Sequence, residues 1–176
     1  MSRAYTGVGS RSTPVDVLQT MHLMAAWLAA PPRGWTCRSG HADGADQAFE
    51  SGAGQACESY LPWRGFNGST SLFVPDLNRA RGIAARLHPA WERCGGGARS
   101  MMARNVHQVL GWNLDDPSRF VLCWTPDGAE RAAECGCGTG GTAMAIRVAD
   151  ENNIPIFNLQ RVDWYNRFGA FYACLT

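Results

Sequence analysis

The stretch AYTGVGSRSTPVDVLQTMHLMAAWLAA, residues 4–30, decides the fold. Ala4 to Val8 is a short strand, and Gly7-Val8-Gly9-Ser10 ends it in a loop. Val15, Leu18, Met21, Met24, Ala25 and Leu28 then recur at three- and four-residue spacings, so a helix is expected over Val15 to Ala30, stopped by Pro31-Pro32. Strand, glycine loop and helix make one unit of a parallel α/β sheet.

The rest of the chain repeats that alternation. Gly34 to Ser39 reads as a second strand, Ala45 to Ala53 as a helix, and Ser59 to Leu61 as a third short strand closed by Pro62. Helices are expected over Asp76 to Leu87 and Ala98 to Leu110, with Gly95-Gly96-Gly97 as a hinge between them. Phe120 to Trp124 is an unbroken apolar run of the kind buried on both faces of a parallel sheet. Thr142 to Glu151 is helical, and Ile154 to Leu159 is the last strand. The expected fold is a Rossmann-like, doubly wound, mainly parallel α/β sheet with helices on both faces, a single domain over residues 1–176 with its core in 4–159. The Ala4 strand should lie centrally, beside Phe120 to Trp124, in a sheet of at least five strands. Residues 160–176 are aromatic-rich and read as a C-terminal cap or a homo-oligomer contact.

Composition narrows the function. With 176 residues, 45% hydrophobic and 18% charged, the chain can bury a sizeable core, which excludes a solvated disordered chain. A net charge of +1 gives no reason to expect a generally basic surface for nucleic acid or membrane. All 16 cationic side chains are Arg, so a lysine Schiff base and a Walker A lysine are excluded. Seven cysteines, no signal-peptide pattern and no membrane-length apolar run predict a reduced cytoplasmic protein without a membrane partner. Cys135 and Cys137 form a CxC, but no second pair has structural-zinc spacing, so neither a metal nor a cofactor is expected.

Three glycine-rich segments fall where strands lead into helices: Gly7 to Arg11, Ser39 to Asp46, and Gly136 to Thr142. Such turns bring backbone close to an anion, and a helix N-terminus favours negative charge, so phosphate is the natural guest.

These residues resemble a family. Gly7-Val8-Gly9-Ser10-Arg11 with Pro14 is similar to the GxGSR segment of the DNA processing protein A (DprA/Smf) family, and Ser39-Gly40-His41-Ala42-Asp43-Gly44-Ala45-Asp46 to its SGxAxGxD segment. Arg104-Asn105, the strand Phe120 to Trp124, Gly140-Gly141-Thr142 and Ile154 to Phe157 follow in the same order. The resemblance places the chain with the SLOG superfamily of Rossmann-like nucleotide-binding proteins, which includes the LOG phosphoribohydrolases and sensors of NAD-derived signals. It implies a nucleotide in a cleft of glycine loops. Two departures shape the expectation. The chain has no lysine to assist DNA phosphate binding, and no residues for the additional helical domains of the DprA-like proteins. Aligning Gly138-Thr139-Gly140-Gly141-Thr142 with the LOG segment PGGxGTxxE puts Ala145 where the catalytic Glu belongs.

The candidate ligand- and phosphate-binding residues are therefore Gly7, Gly9, Ser10, Arg11, Ser39, Gly40, His41, Asp43, Gly44, Asp46, Gly138, Thr139, Gly140, Gly141 and Thr142, with Trp124 as a base-stacking candidate. Arg11 suits bidentate phosphate binding, and His41 could touch a ligand or act as acid or base. Asp43 reads first as a helix cap; Asp46 and Glu50 are the candidate catalytic carboxylates. The segment Thr125 to Gly140 is long for a strand-to-helix connection and reads as a lid over the ligand. The expected function is non-enzymatic sensing or sequestration of a small phosphate- and ribose-containing nucleotide, of ADP-ribose or cyclic-nucleotide type. Nucleotide N-glycosidic hydrolysis and single-stranded DNA binding remain open beside it.

Overall fold

In a computed structural model describing residues 2–175, the opening unit forms strand β1 (Ala4–Gly9) and helix α1 (Val15–Ala29). Then follow β2 (Thr36–Ser39), α2 (Ala45–Ala53), β3 (Cys57–Ser59), α3 (Asn78–Leu87), α4 (Gly96–Leu110), β4 (Val121–Trp124), α5 (Ala143–Glu151), β5 (Ile156–Asn158) and α6 (Trp164–Ala173). The five strands form one parallel sheet in the order β3-β2-β1-β4-β5. β1 is central and pairs with β4 from Thr6↔Val121 to Gly9↔Trp124. The chain winds outward from β1 to β3, then crosses back to β4, so the switch of direction falls between β1 and β4.

Side-chain alternation along the central strands divides the core in two. Val8, Val121 and Cys123 face α3, α4 and α5, packing with Ala84, Val106, Met144 and Ile146. Tyr5, Leu122 and Trp124 face α1, α2 and α6, packing with Met21, Leu28, Phe49 and Phe168. Helices therefore cover both faces, as the parallel sheet requires. Phe120 is the hub of the second layer: its ring stacks on Tyr5 at 5.4 Å and meets Trp35, Phe168 and Phe171 edge-on at 5.1–5.8 Å. α6 thus caps the sheet.

Several boundaries differ from the sequence reading. The third strand ends at Ser59, but the Tyr60 amide still donates to Ser39 O at 2.8 Å, so the ladder reaches the residue where a strand was expected. The second and last strands are shorter than expected, at four and three residues. Gly96 and Gly97 are not a hinge; they form the first turn of α4, because the helix behind them buries nine residues and tertiary packing overrides the low propensity of glycine.

The segment after β4 is held down along most of its length. Glu130 accepts from both Arg167 Nη1 (2.9 Å) and Nη2 (2.6 Å) and from the Asn158 amide at 2.7 Å. Glu134 pairs with Arg161 at 2.6 Å, and the Ala132 amide donates to Asp150 at 2.8 Å. Residues 125–134 are tied to β5, α5 and α6, which corrects the reading of the whole segment as a lid. What is left facing the sheet's carboxyl edge is the short 3₁₀ stretch Cys137–Thr142. Among the described residues no helix is long and apolar enough to cross a membrane.

At the opposite edge, Arg38 is buried and bridges Glu58 at 2.9 Å and Asp116 at 2.8 Å. The Ser2 hydroxyl first, and Arg38 after it, hold the Asp116 carboxyl down to about 2.

Two outcomes are expected. Phe120→Ala should cost about 3–5 kcal/mol in urea unfolding, the range for truncating a buried aromatic ring. Because Asp116 is ionised more readily when folded than at an unfolded value near ~3.9, its contribution is present above that value and lost as pH falls toward about 2. Asp116→Asn should flatten the pH dependence of stability in that acid window, read by denaturant midpoints at successive pH values.

Candidate functional site

A cleft of about 340 Å³ lies over the carboxyl ends of β1 and β4, at the point where the winding reverses. Its walls come from four places. The end of β1 and the loop after it supply Gly9, Ser10 and Arg11; α2 supplies Asp46; α4 supplies Arg104, Asn105 and Gln108. Thr139 to Thr142, leading into α5, close the fourth side. Of the residues expected from sequence, Gly9, Ser10, Arg11, Asp46, Thr139, Gly140, Gly141 and Thr142 are brought together here.

The floor of the cleft is an ion pair withdrawn from water. Arg104 and Asp46 are 2% and 4% exposed, and Arg104 Nη1 donates to Asp46 Oδ2 at 3.1 Å. Burial pushes the Asp46 carboxyl above its ordinary value, with Arg104 opposing the shift. Arg104 Nε is buried and has no partner, so a donor remains unsatisfied beneath the cleft. Gln108, fully buried, extends the network. With its amide set by its neighbours, its oxygen accepts from Gly40 N at 2.8 Å and from Arg104 Nη1 at 3.1 Å, and its nitrogen donates to Asn105 Oδ1 at 2.9 Å. Asn105 Nδ2 in turn donates to Gly141 O at 2.9 Å. One turn of α4 thereby fixes both the loop after β2 and the loop before α5.

This geometry reassigns several of the expected residues. Gly40 is glycine for Arg104, not for a phosphate: a Cβ there would sit 1.1 Å from Arg104 Nη1. Gly7 likewise makes room for the Phe49 ring, 2.6 Å from its ideal Cβ. Ser39 is buried and spends its hydroxyl on Gly7 O at 2.8 Å. Trp124 is packed in the core and donates its indole N–H to Gln160 at 2.9 Å, so it cannot stack on a base. Asp43 does not cap α2; it accepts from Gln47 at 3.2 Å on the surface. Gly44 turns beneath Ser10 and Arg11, and Gly138 rests against Asp127, both outside the cleft wall.

The two candidate carboxylates also part company. Glu50 accepts from the His41 amide and from His41 Nδ1, both at 2.7 Å, and neither residue lines the cleft. That double contact holds His41 at φ 56°, a conformation uncommon for a side chain with a Cβ. Asp46 does line the cleft, but its Oδ2 is committed to Arg104.

What remains available for a ligand is concentrated on one side. Arg11 makes no ion pair or hydrogen bond among the described residues, and the Thr142 hydroxyl has no partner. Gly140, at φ 59°, needs a residue without Cβ, and a Cβ built at Gly140 or Gly141 would meet no atom within 4 Å, so this side of the backbone is open even though Gly141 O is taken by Asn105. Thr139 has already spent its hydroxyl on Asp127 and Gly136 N. Arg104, Asn105 and Gln108 were the residues sequence reasoning undervalued. The available signal was that Met101, Arg104 and Gln108 recur at three- and four-residue spacings, which puts two polar side chains on the same stripe of the helix as an apolar one.

Among the described residues no group of three or more His, Cys, Asp or Glu side chains is arranged to hold a metal. A comparison with family models, curated proteins and solved structures finds no match to this chain.

Removing one partner of the buried pair should be far worse than removing both. Arg104→Met leaves Asp46 buried and unpaired and should cost about 3–5 kcal/mol. Arg104→Met combined with Asp46→Leu should recover a large part of that loss, and the coupling is read from a double-mutant cycle in chemical denaturation.

Proposed function

We propose that the protein binds, without chemistry, a small phosphate- and ribose-containing nucleotide in the cleft between β1 and β4, as a sensor or sequestering protein of the SLOG kind. The observation that carries this is the meeting of an uncommitted guanidinium, Arg11, with the open Gly140–Thr142 backbone at the N-terminus of the nine-residue helix α5. Guanidinium and helix N-terminus both favour an anion, and phosphate satisfies both at once. Ribose hydroxyls fit the remaining polar wall, where Asp46 has a second carboxylate oxygen. The likeness of residues 4–159 to the DprA and SLOG segments agrees with this reading and rests on the same loops.

Hydrolysis of an N-glycosidic bond fits less well. Ala145, at the position of the LOG carboxylate, is fully buried in the sheet-facing side of α5, and the nearby carboxylates Asp46 and Glu50 are held by Arg104 and His41. A strand-length DNA site has no support in the cleft, which is sized for one nucleotide.

Calorimetry with adenosine monophosphate and ribose 5-phosphate tests the proposal. Arg11→Ala should weaken binding by about 1.5–3 kcal/mol, the worth of a hydrogen bond to a charged group, without lowering thermal stability. Unchanged affinity in a folded Arg11→Ala removes Arg11 from the site. Release of adenine from the monophosphate by the wild-type chain would replace binding by catalysis.

A further inference from the structure

The cleft does not end at Arg11. A second cavity of about 750 Å³ opens from it, with Arg11, Met101, Met102, Gly140 and Gly141 as the common wall. Its chemistry is different. Where the first cleft is lined by Asp46, Asn105 and Gln108, the second is floored by Met101, Met102 and Met144 and edged by Pro89. Cys94, Cys135 and Cys137 also line it, which gives the CxC a place in the fold as part of a soft, weakly polar wall.

One charged side chain faces this groove besides Arg11. Arg147 lies one helical turn after Ala143 and on the same face of α5 as Met144, and all three line the cavity. Among the described residues Arg147 makes no ion pair and no hydrogen bond. Arg147 is half-buried beside the methionines and has no acceptor of its own among the described residues. Its field reaches its neighbours: burial first, and Arg147 after it, hold His88 below the ordinary histidine value.

The groove is thus a path between two uncommitted guanidinium groups, Arg11 at the shared wall and Arg147 beyond it, over a polarizable thioether floor. Methionine sulfur makes favourable contacts with aromatic rings, and a guanidinium binds phosphate in a fixed fork. We infer that the groove is a second subsite of the same ligand, which is a nucleoside carrying phosphate at two ends. The first phosphate sits against Arg11 and the Gly140–Thr142 backbone, where the two cavities meet, and the second phosphate, carried on the same sugar, reaches over the Met101 and Met102 wall to Arg147. This rests on the reading of the first cleft as a nucleotide phosphate site.

The test is calorimetry of the full chain with adenosine monophosphate and adenosine 3′,5′-bisphosphate, supplemented by a fifteen-residue oligodeoxyadenylate. The bisphosphate should bind at least about tenfold more tightly than the monophosphate, the gain expected of one added charge-assisted contact. Arg147→Ala should abolish that ratio, and Arg147→Lys should restore part of it; thermal melts establish that both variants are folded. A ratio near one in the wild-type chain, or a ratio that survives Arg147→Ala, overturns the second subsite and leaves the first cleft intact. No binding of either nucleotide overturns the first reading and this one together. An oligodeoxyadenylate that binds far more tightly than the bisphosphate, with the gain lost in Arg147→Ala, reassigns the groove to a single strand and overturns the small-ligand proposal.

Discussion

The Arg104–Asp46 pair is the contact on which the rest of the carboxyl edge depends. It joins α4 to α2 across the end of the central strand, and its two charges are shielded from water. A buried pair of this kind contributes little net stability, because desolvation consumes most of the Coulomb attraction, yet losing one partner is severe. Its effect is to fix geometry. Arg104 can lie where it does only because residue 40 is glycine, and Gln108 and Asn105 carry the constraint from Gly40 to Gly141. Two loops from opposite sides of the switch point are thereby registered on one helix face.

The layout was legible in the sequence because it follows from patterns that burial enforces. The three- and four-residue spacing of Leu18, Met21, Ala25 and Leu28 has one structural solution beside an apolar strand, and the run Phe120 to Trp124 has to lie deep in the sheet. The strand order with β1 central followed from the same short buried runs. The ends of elements were less legible. Gly96 and Gly97 carry no side-chain signal for helix, and only the packing of Ala103, Val106 and Leu110 against the sheet draws them into α4.

The site was legible in outline and misassigned in detail, for a reason that concerns glycine itself. A glycine marks a place where something comes close, but its sequence does not say what. At Gly40 the approaching group is a guanidinium, at Gly7 it is a phenyl ring, and at Gly140 and Gly141 it is open space. Only the third kind is available to a ligand. Trp124 shows the complementary error: a large ring at a strand end looks free to stack, but its alternation with Cys123 commits it to the α6 layer, where Gln160 takes its N–H.

The clamp between Glu130, Asn158 and Arg167 gives the chain a direction in time. Glu130 lies between β4 and α5, yet its partners belong to β5 and α6, so its place is not fixed until the last helix is present. A chain leaving the ribosome from its N-terminus would already hold β1, β2 and α4, with Arg104 seated on Gly40. The wall that carries Gly140 to Thr142 would still be loose. Closing the wall beside the cleft is therefore tied to docking the sheet's last strand and α6, so the site and the far edge of the sheet are completed together.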